Sequence, residues 1–461
     1  MASRSIACAC VVAAAALLMA CASPLEPPRG DGRPSARARP PGSGDVPASA
    51  YRAAGAETGP ALGDAATTED YVRYALYHSP EVESAYQRWR AAAERMPQVR
   101  ALPDPRADFE YDFRSDEAMI GAMQEFPWPG TLRARGEAAG RGAASAWREF
   151  EAARLAVAER VTIAVHETAY LDAAIGITRD NLDLLSSLEQ VIRARYRVGA
   201  GSHPELIRAQ VELGELEDRL AQMLAMRPAL LAELNAALNR PPDAAVPAMG
   251  RVAGRVVRES AAALAGVARG ANPGLLALDE QAEEQRRLER VARLEGLPGF
   301  GAGVEYTILE NDMGDDLDGD PVKLRLALSV PLWREKYNAA VREAMALRLA
   351  IAYEREGEAN RVAAEVSRAW FEHTDAHRRV GLYERTLIPK AEESLRASLA
   401  GFRAGETSFL DLLDTERTLL EFAMSAERAR ADRSIALARL NRLAGTVLPT
   451  EPEDDAKEDE P

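Results

Sequence analysis

The chain has 461 residues, 47% of them hydrophobic and 6% aromatic, with a formal net charge of −15. An acidic balance of that size argues against nucleic acid as a partner. No Gly-rich phosphate loop, nucleophile elbow or cysteine metal cluster occurs, so the sequence points away from an enzyme and gives no reason to expect a cofactor.

Arg4 precedes an apolar run from Val11 to Met19, too short to span a bilayer and of the length of a signal-peptide core. The run ends in Leu18-Met19-Ala20-Cys21, which resembles a bacterial lipoprotein cleavage and acylation box. Residues 1–20 are therefore read as a signal peptide and Cys21 as the lipidated terminus; an ordinary signal peptide with a stray cysteine is the alternative. Ala22 in second position points to the outer membrane. Cys8 and Cys10 leave with the signal peptide, so packing and assembly, not disulfides, must stabilise the mature chain in an oxidising compartment. Residues 21–66 are rich in Pro, Gly, Ala and Arg and read as a flexible tether. No later stretch offers 18 consecutive apolar residues, so no transmembrane helix is expected.

The next 380 or so residues form two degenerate copies, 67–250 and 251–447. In the first, a helical stretch ends before Ala107-Asp108-Phe109-Glu110-Tyr111-Asp112-Phe113, where Phe109, Tyr111 and Phe113 alternate with Asp108, Glu110 and Asp112. A period of two, apolar on one side and charged on the other, is strand sequence. Phe126-Pro127 closes this hairpin. From about Leu132 to Val198 the chain is long helical sequence, about 100 Å at 1.5 Å per residue. Leu182, Leu185, Leu188, Ile192 and Tyr196 mark its packing stripe. The helix stops at Arg197-Val198-Gly199 and restarts after Ser202, with Glu205 three residues on as in a capping box.

The second copy repeats this order. Asn272-Pro273 answers Ser79-Pro80, and Val304, Glu305, Tyr306 and Ile308 answer Phe109, Glu110, Tyr111 and Phe113. The return strand Val322, Leu324, Leu326, Leu328 and Val330 alternates with Lys323, Arg325, Ala327 and Ser329. The long helix runs from about Arg334 to Arg403, with Pro389 expected to bend it. Gly405, Ser408 and Asp411 then answer Gly199, Ser202 and Glu205. Residues 448–461 read as an acidic, disordered tail.

Apolar-out, polar-in strands are the transmembrane barrel pattern. The competing reading is a half-buried hairpin on a soluble core, but the flanking helical sequence offers no second sheet to cover it. Four strands cannot close a barrel and open edges are not tolerated in lipid, so closure demands several chains; three would give twelve strands. The lipid face is then Phe109, Tyr111, Phe113, Val304, Tyr306 and Ile308. The lumen takes Asp108, Glu110, Asp112, Glu305, Lys323 and Arg325.

Four motifs carry a family resemblance over residues 67–447: Phe126-Pro127-Trp128-Pro129-Gly130, Val330-Pro331-Leu332-Trp333, Leu387-Ile388-Pro389-Lys390-Ala391, and the stretch from Gly405 to Asp414. With the duplicated architecture and the lipoprotein box, they resemble the TolC family of outer-membrane efflux proteins, the Phe-Pro-Trp-Pro-Gly form being most similar to its heavy-metal branch. The resemblance implies a mainly α fold with a small β part, a homotrimer whose twelve strands form an outer-membrane barrel continued by a periplasmic helical barrel. It further implies an exit duct working with a periplasmic adaptor and an inner-membrane transporter. Aspartates after the second glycine turn ring the periplasmic aperture in the family, which places Asp411 and Asp414 there. The helical tips that meet the adaptor would be Gly199, Ser202, Gly405 and Ser408.

Each role has a plainer counterpart. Asp411 is also a helix cap, Asp414 also fits a solvated face, and the glycines are also steric caps. Asp312, Asp315, Asp316, Asp318 and Asp320 lack the register and terminal glutamate of a calcium loop and read as an exposed hairpin loop. His373 and His377 have zinc spacing, but Thr374 stands where a metalloprotease needs glutamate, and no third ligand is near. A lipid-anchored periplasmic coiled-coil scaffold would explain the helices and Cys21, but has no use for alternating hairpins.

Overall fold

The computed structural model describes residues 62–63, 65–113, 117–199, 201–249, 254–309 and 322–452. Cys21 and the signal peptide, nearly all of the tether, the acidic stretch 310–320 and residues 453–461 lie outside the described residues.

The first half runs α1 (Thr68–His78), α2 (Pro80–Arg100), β1 (Arg106–Asp112), β2 (Glu117–Phe126), α3 (Thr131–Arg197) and α4 (His203–Ala237). The second repeats the order as α5 (Ala261–Ala271), α6 (Pro273–Glu295), β3 (Gly299–Leu309), β4 (Val322–Ser329), α7 (Arg334–Leu382), a π-helical turn (Tyr383–Leu387), α8 (Ile388–Ala404) and α9 (Phe409–Ala444). The shared residues explain the shared shape. Ser79 and Asn272 each cap the helix that starts at the following proline, accepting from Val82 N in one case and from Gly274 N and Leu275 N in the other. Asn235 donates to the Pro242 and Ala244 carbonyls, and Asn441 accepts from Leu448 N at 2.8 Å, so both hold the turn after the last helix of their copy.

Two apolar cores sit where the short helices meet the long ones. In the first copy Tyr71, Val82, Tyr86 and Trp89 pack with Phe150, Val157, Val161, Val165, Leu234 and Leu238. Their counterparts Val257, Leu264, Val362, Val366, Leu440, Leu443 and Leu448 pack in the second. Two-residue strand pairs tie down the ends, Ala65–Ala66 parallel to Ala248–Met249 and Arg255–Val256 antiparallel to Glu451–Pro452. The described structure thus includes Ala65 and Ala66 of the expected tether and residues 448–452 of the expected tail. Leu448, buried at 5% exposure, is the physical reason for the latter.

The second long helix does not simply bend at Pro389. Directly before it the helix widens into the π turn, where Ile388 N bonds to the Tyr383 carbonyl five residues back. Proline has no N–H for the carbonyl four residues earlier and its ring crowds that carbonyl; a widened turn relieves both. Arg430 Nε donates to Glu384 Oε1 at 2.6 Å and anchors this turn to α9.

Candidate functional site

The four strands form one antiparallel sheet in the order β1-β2-β3-β4, leaving the outer edges of β1 and β4 without a strand partner among the described residues. The register carries the alternation across the sheet. Phe109, Ile120, Tyr306 and Val322 lie in one row, and Asp108, Gly121, Glu305 and Lys323 in the next. One face is therefore apolar apart from Gln124 beside Ala302: Phe109, Val304, Tyr306, Leu324 and Leu326 are all on it and all exposed, Leu326 at 78%. The opposite face carries the charges. Glu305 is buried at 5% exposure, ion-paired to Arg325, with Lys323 Nζ 3.9 Å away.

Tyr111 lies on β1 and packs edge-on to Phe113 at 4.9 Å. Phe113 itself falls in the turn beyond β1, 91% exposed, so it does not belong to the strand face assigned to it. Asp108, Glu110 and Asp112 occupy alternate strand positions as expected, and Ile308 lies within β3. The return strand of the first hairpin is β2, whose alternation is weakened by the small residues Ala118, Gly121 and Ala122. The Phe-Pro-Trp-Pro-Gly motif links sheet to helix. Trp128 stacks on Phe300 of β3 at 6.0 Å, and Gly130, at φ 92°, starts α3 in the left-handed conformation that glycine alone adopts freely.

At the other end of the long helices are the two glycine turns. Gly199 and Gly405 have φ of 73° and 81°. Ser202 caps α4 with a full capping box, its hydroxyl accepting from Glu205 N while the Glu205 carboxylate accepts from Ser202 N. Ser408 accepts from Asp411 N, but the Asp411 carboxylate takes the Ser408 hydroxyl at 2.7 Å instead of its backbone N–H. Asp411 and Asp414, three residues apart on one side of α9, are both exposed.

Leu185, Leu188, Ile192, Leu206, Leu395, Phe402, Phe409 and Leu412 form the apolar core that joins the two tips. Polar groups inside it were not apparent from periodicity. Arg417 Nε donates to the buried Glu212 at 2.9 Å, bridging α9 to α4. Glu416 is 2% exposed and neither of its carboxylate oxygens has a hydrogen-bond partner among the described residues.

His373 is a core residue: Nε2 accepts from Val257 N at 3.3 Å and Nδ1 donates to the Arg433 carbonyl at 3.1 Å, so both ring nitrogens are engaged by backbone.

Residues 264–446 match the family model described as Outer membrane efflux protein. No curated protein matches the chain in sequence. Among solved structures, the outer membrane protein VceC from Vibrio cholerae is similar with a TM-score of 0.68 at 19% identity, covering 82% of this chain and 96% of that one. The Neisseria gonorrhoeae MtrE outer membrane channel, in its open state, gives 0.69 at 17% identity over 83% and 89% of the two chains. The Campylobacter jejuni CmeC outer membrane channel gives 0.65 at 13% identity over 85% and 88%. Residues 264–446 are thus similar to the Outer membrane efflux protein family, and the chain as a whole has the fold of these outer membrane channels.

Proposed function

We propose that this chain is the outer-membrane exit duct of a tripartite efflux pump. It acts as a homotrimer lipidated at Cys21, with a periplasmic adaptor and an inner-membrane transporter as partners. The observation that carries the reading is the four-stranded sheet, which exposes a continuous apolar face and leaves both outer edges without a strand partner in the described chain. Such a sheet is tolerated in lipid only when neighbouring chains close it. Twelve strands from three chains would place Phe109, Tyr111, Val304, Tyr306 and Ile308 towards lipid and Asp108, Glu110, Asp112, Glu305, Lys323 and Arg325 towards the lumen. At the periplasmic end Asp411 and Asp414 supply six carboxylates per trimer to the aperture, and Gly199, Ser202, Gly405 and Ser408 form the tips that an adaptor meets.

The duct is passive, so the transporter and adaptor select the cargo. The resemblance of Phe126-Pro127-Trp128-Pro129-Gly130 to the heavy-metal branch makes metal cations the first cargo to try. The test is single-channel conductance of the purified mature protein in a planar bilayer, with the oligomeric mass measured on the same sample. Trimers with discrete, cation-selective conductance are expected; a monomer without conductance would favour the lipid-anchored scaffold instead.

A further inference from the structure

Glu416 is the most deeply buried carboxylate in the tip core, at 2% exposure, and it has no salt bridge of its own. It lies on α9 two residues beyond Asp414, where α9 packs on α3 and meets α4 through the shared apolar core and Arg417–Glu212. From α3 comes the Asn181 amide, whose nitrogen is also buried and without a hydrogen-bond partner among the described residues. From α4 comes the Glu212 carboxylate, and from α9 itself the Arg417 guanidinium, already committed to Glu212. α8 meets this stretch through the Ser398 and Thr415 hydroxyls, 3.4 Å apart, and brings no charge to Glu416.

An ionised carboxylate in that setting would be desolvated, lack a donor of good geometry and stand beside a second negative charge. A neutral carboxylic acid suffers none of these penalties. Apolar packing alone does not account for a glutamate here, since leucines fill the same core at Leu185, Leu206, Leu412 and Leu413.

We propose that Glu416 is a proton-binding site that locks the tip bundle when occupied, and that loss of the proton loosens α9 against α3 and α4 and displaces the aperture residues Asp411 and Asp414 on the same helix. Deprotonation sets Glu416 in competition with Glu212 for Arg417, whose bond to Glu212 ties α4 to α9 at this level. Burial first, and then the charge of Glu212, raise the Glu416 pKa to about 7 against the opposing pull of Asn181 and Arg417, which places the transition near neutrality.

The aperture consequence rests on the duct reading, and the test separates the two. Single-channel records of the purified full chain are taken between pH 6 and pH 8. For a group titrating near 7 the ionised fraction rises about tenfold across that range, and the wild-type open fraction is expected to follow it. Glu416→Gln is expected to hold the pH 6 value throughout, and Asn181→Asp, which adds a negative charge beside the site, to move the midpoint upward by about one pH unit. A flat wild-type response, or an identical response in Glu416→Gln, overturns the proposal.

Should the wild type show no conductance at any pH, the duct reading fails, and hydrogen exchange of the α9 amides, corrected for the intrinsic rate, decides on the lock alone. Protection lost with rising pH in the wild type but retained in Glu416→Gln supports it. The same pH response in both overturns it.

Discussion

Arg195 and Phe402 join the two helical tips across 207 positions of sequence. The guanidinium carbon lies 4.6 Å from the Phe402 ring centroid, and Nη2 donates to the Phe402 carbonyl at 2.9 Å and to the Arg403 carbonyl at 3.2 Å. Those carbonyls belong to the last turn of α8, where the Phe402 carbonyl also accepts from Gly405 N at 3.2 Å. One side chain therefore closes the end of one repeat from the end of the other, and holds the Gly405 turn against its partner. We predict that Arg195→Ala costs about 1 kcal/mol, since the group is only half-buried, and frees the Gly405 turn. Faster tryptic cleavage at Arg403 than in the wild type, with no change in the thermal transition of the remaining chain, is the expected result. Unchanged cleavage would show that the tips are held by apolar packing alone.

Two glycines in the same left-handed conformation should respond differently to alanine. Gly405 has open space where a Cβ would be, so Gly405→Ala carries only the conformational cost, about 1 kcal/mol. At Gly445 a Cβ would collide with the Ala271 backbone carbonyl and meet Pro273 Cδ at 3.1 Å. Gly445 ends α9 where it lies against the α5–α6 junction, and backbone cannot rotate away as a side chain can. Thermal denaturation of the two variants should therefore show Gly445→Ala the less stable by at least about 1 kcal/mol. Equal transitions would place the whole effect in φ.

The duplication, the strand pairs and the glycine turns were legible in the sequence because each depends on local chemistry: a period of two, a left-handed cap, a serine before a helix. What was not legible depends on partners far away in sequence. Arg195 is one arginine among many until Phe402 is folded against it. Glu416 reads as a helix-surface residue within Asp414-Thr415-Glu416-Arg417 until α3 and α4 cover it. The π turn sits just before Pro389, where a missing N–H signals a disturbance but not its form. The residues of β2 were less sharply marked than those of its neighbours, because Ala118, Gly121 and Ala122 weaken its alternation.

Asp411 and Asp414 are exposed and close to the Gly405 turn, so their effect should be one of field and not of fold. Replacing both by Ala is expected to lower the cation-over-anion permeability ratio and to weaken blockage by divalent or trivalent cations, each three- to tenfold in a narrow, ringed aperture. Ser408 keeps its bond to Asp411 N in the double variant, so the helix cap survives and the trimer mass should not change. Unaltered selectivity in an intact trimer would remove both residues from the aperture.

Three buried groups make stability depend on pH, two histidines in one sense and Glu416 in the other. Burial lowers the pKa of His166 to about 4, from an ordinary 6.5. Between those values the unfolded chain binds a proton that the folded chain does not, so this contribution is fully present above about pH 6.5 and is lost as pH falls towards 4, about 3 kcal/mol in all. Burial also lowers the pKa of His373, which adds in the same direction because protonation would set a donor against the Val257 N–H. Glu416 runs the other way. With its pKa raised from 4.5 to about 7, its contribution is present below pH 4.5 and lost as pH rises through 7. The wild type should therefore show a shallow dependence between pH 4.5 and 6.5, where the slopes oppose. Glu416→Gln removes the falling limb, so its unfolding temperature should climb steadily over that range, while His166→Gln, in which only His373 opposes Glu416, should rise less with pH than the wild type. Urea unfolding of the three proteins at pH 4.5, 5.5 and 6.5 measures these slopes, and parallel curves would mean that neither burial is maintained in solution.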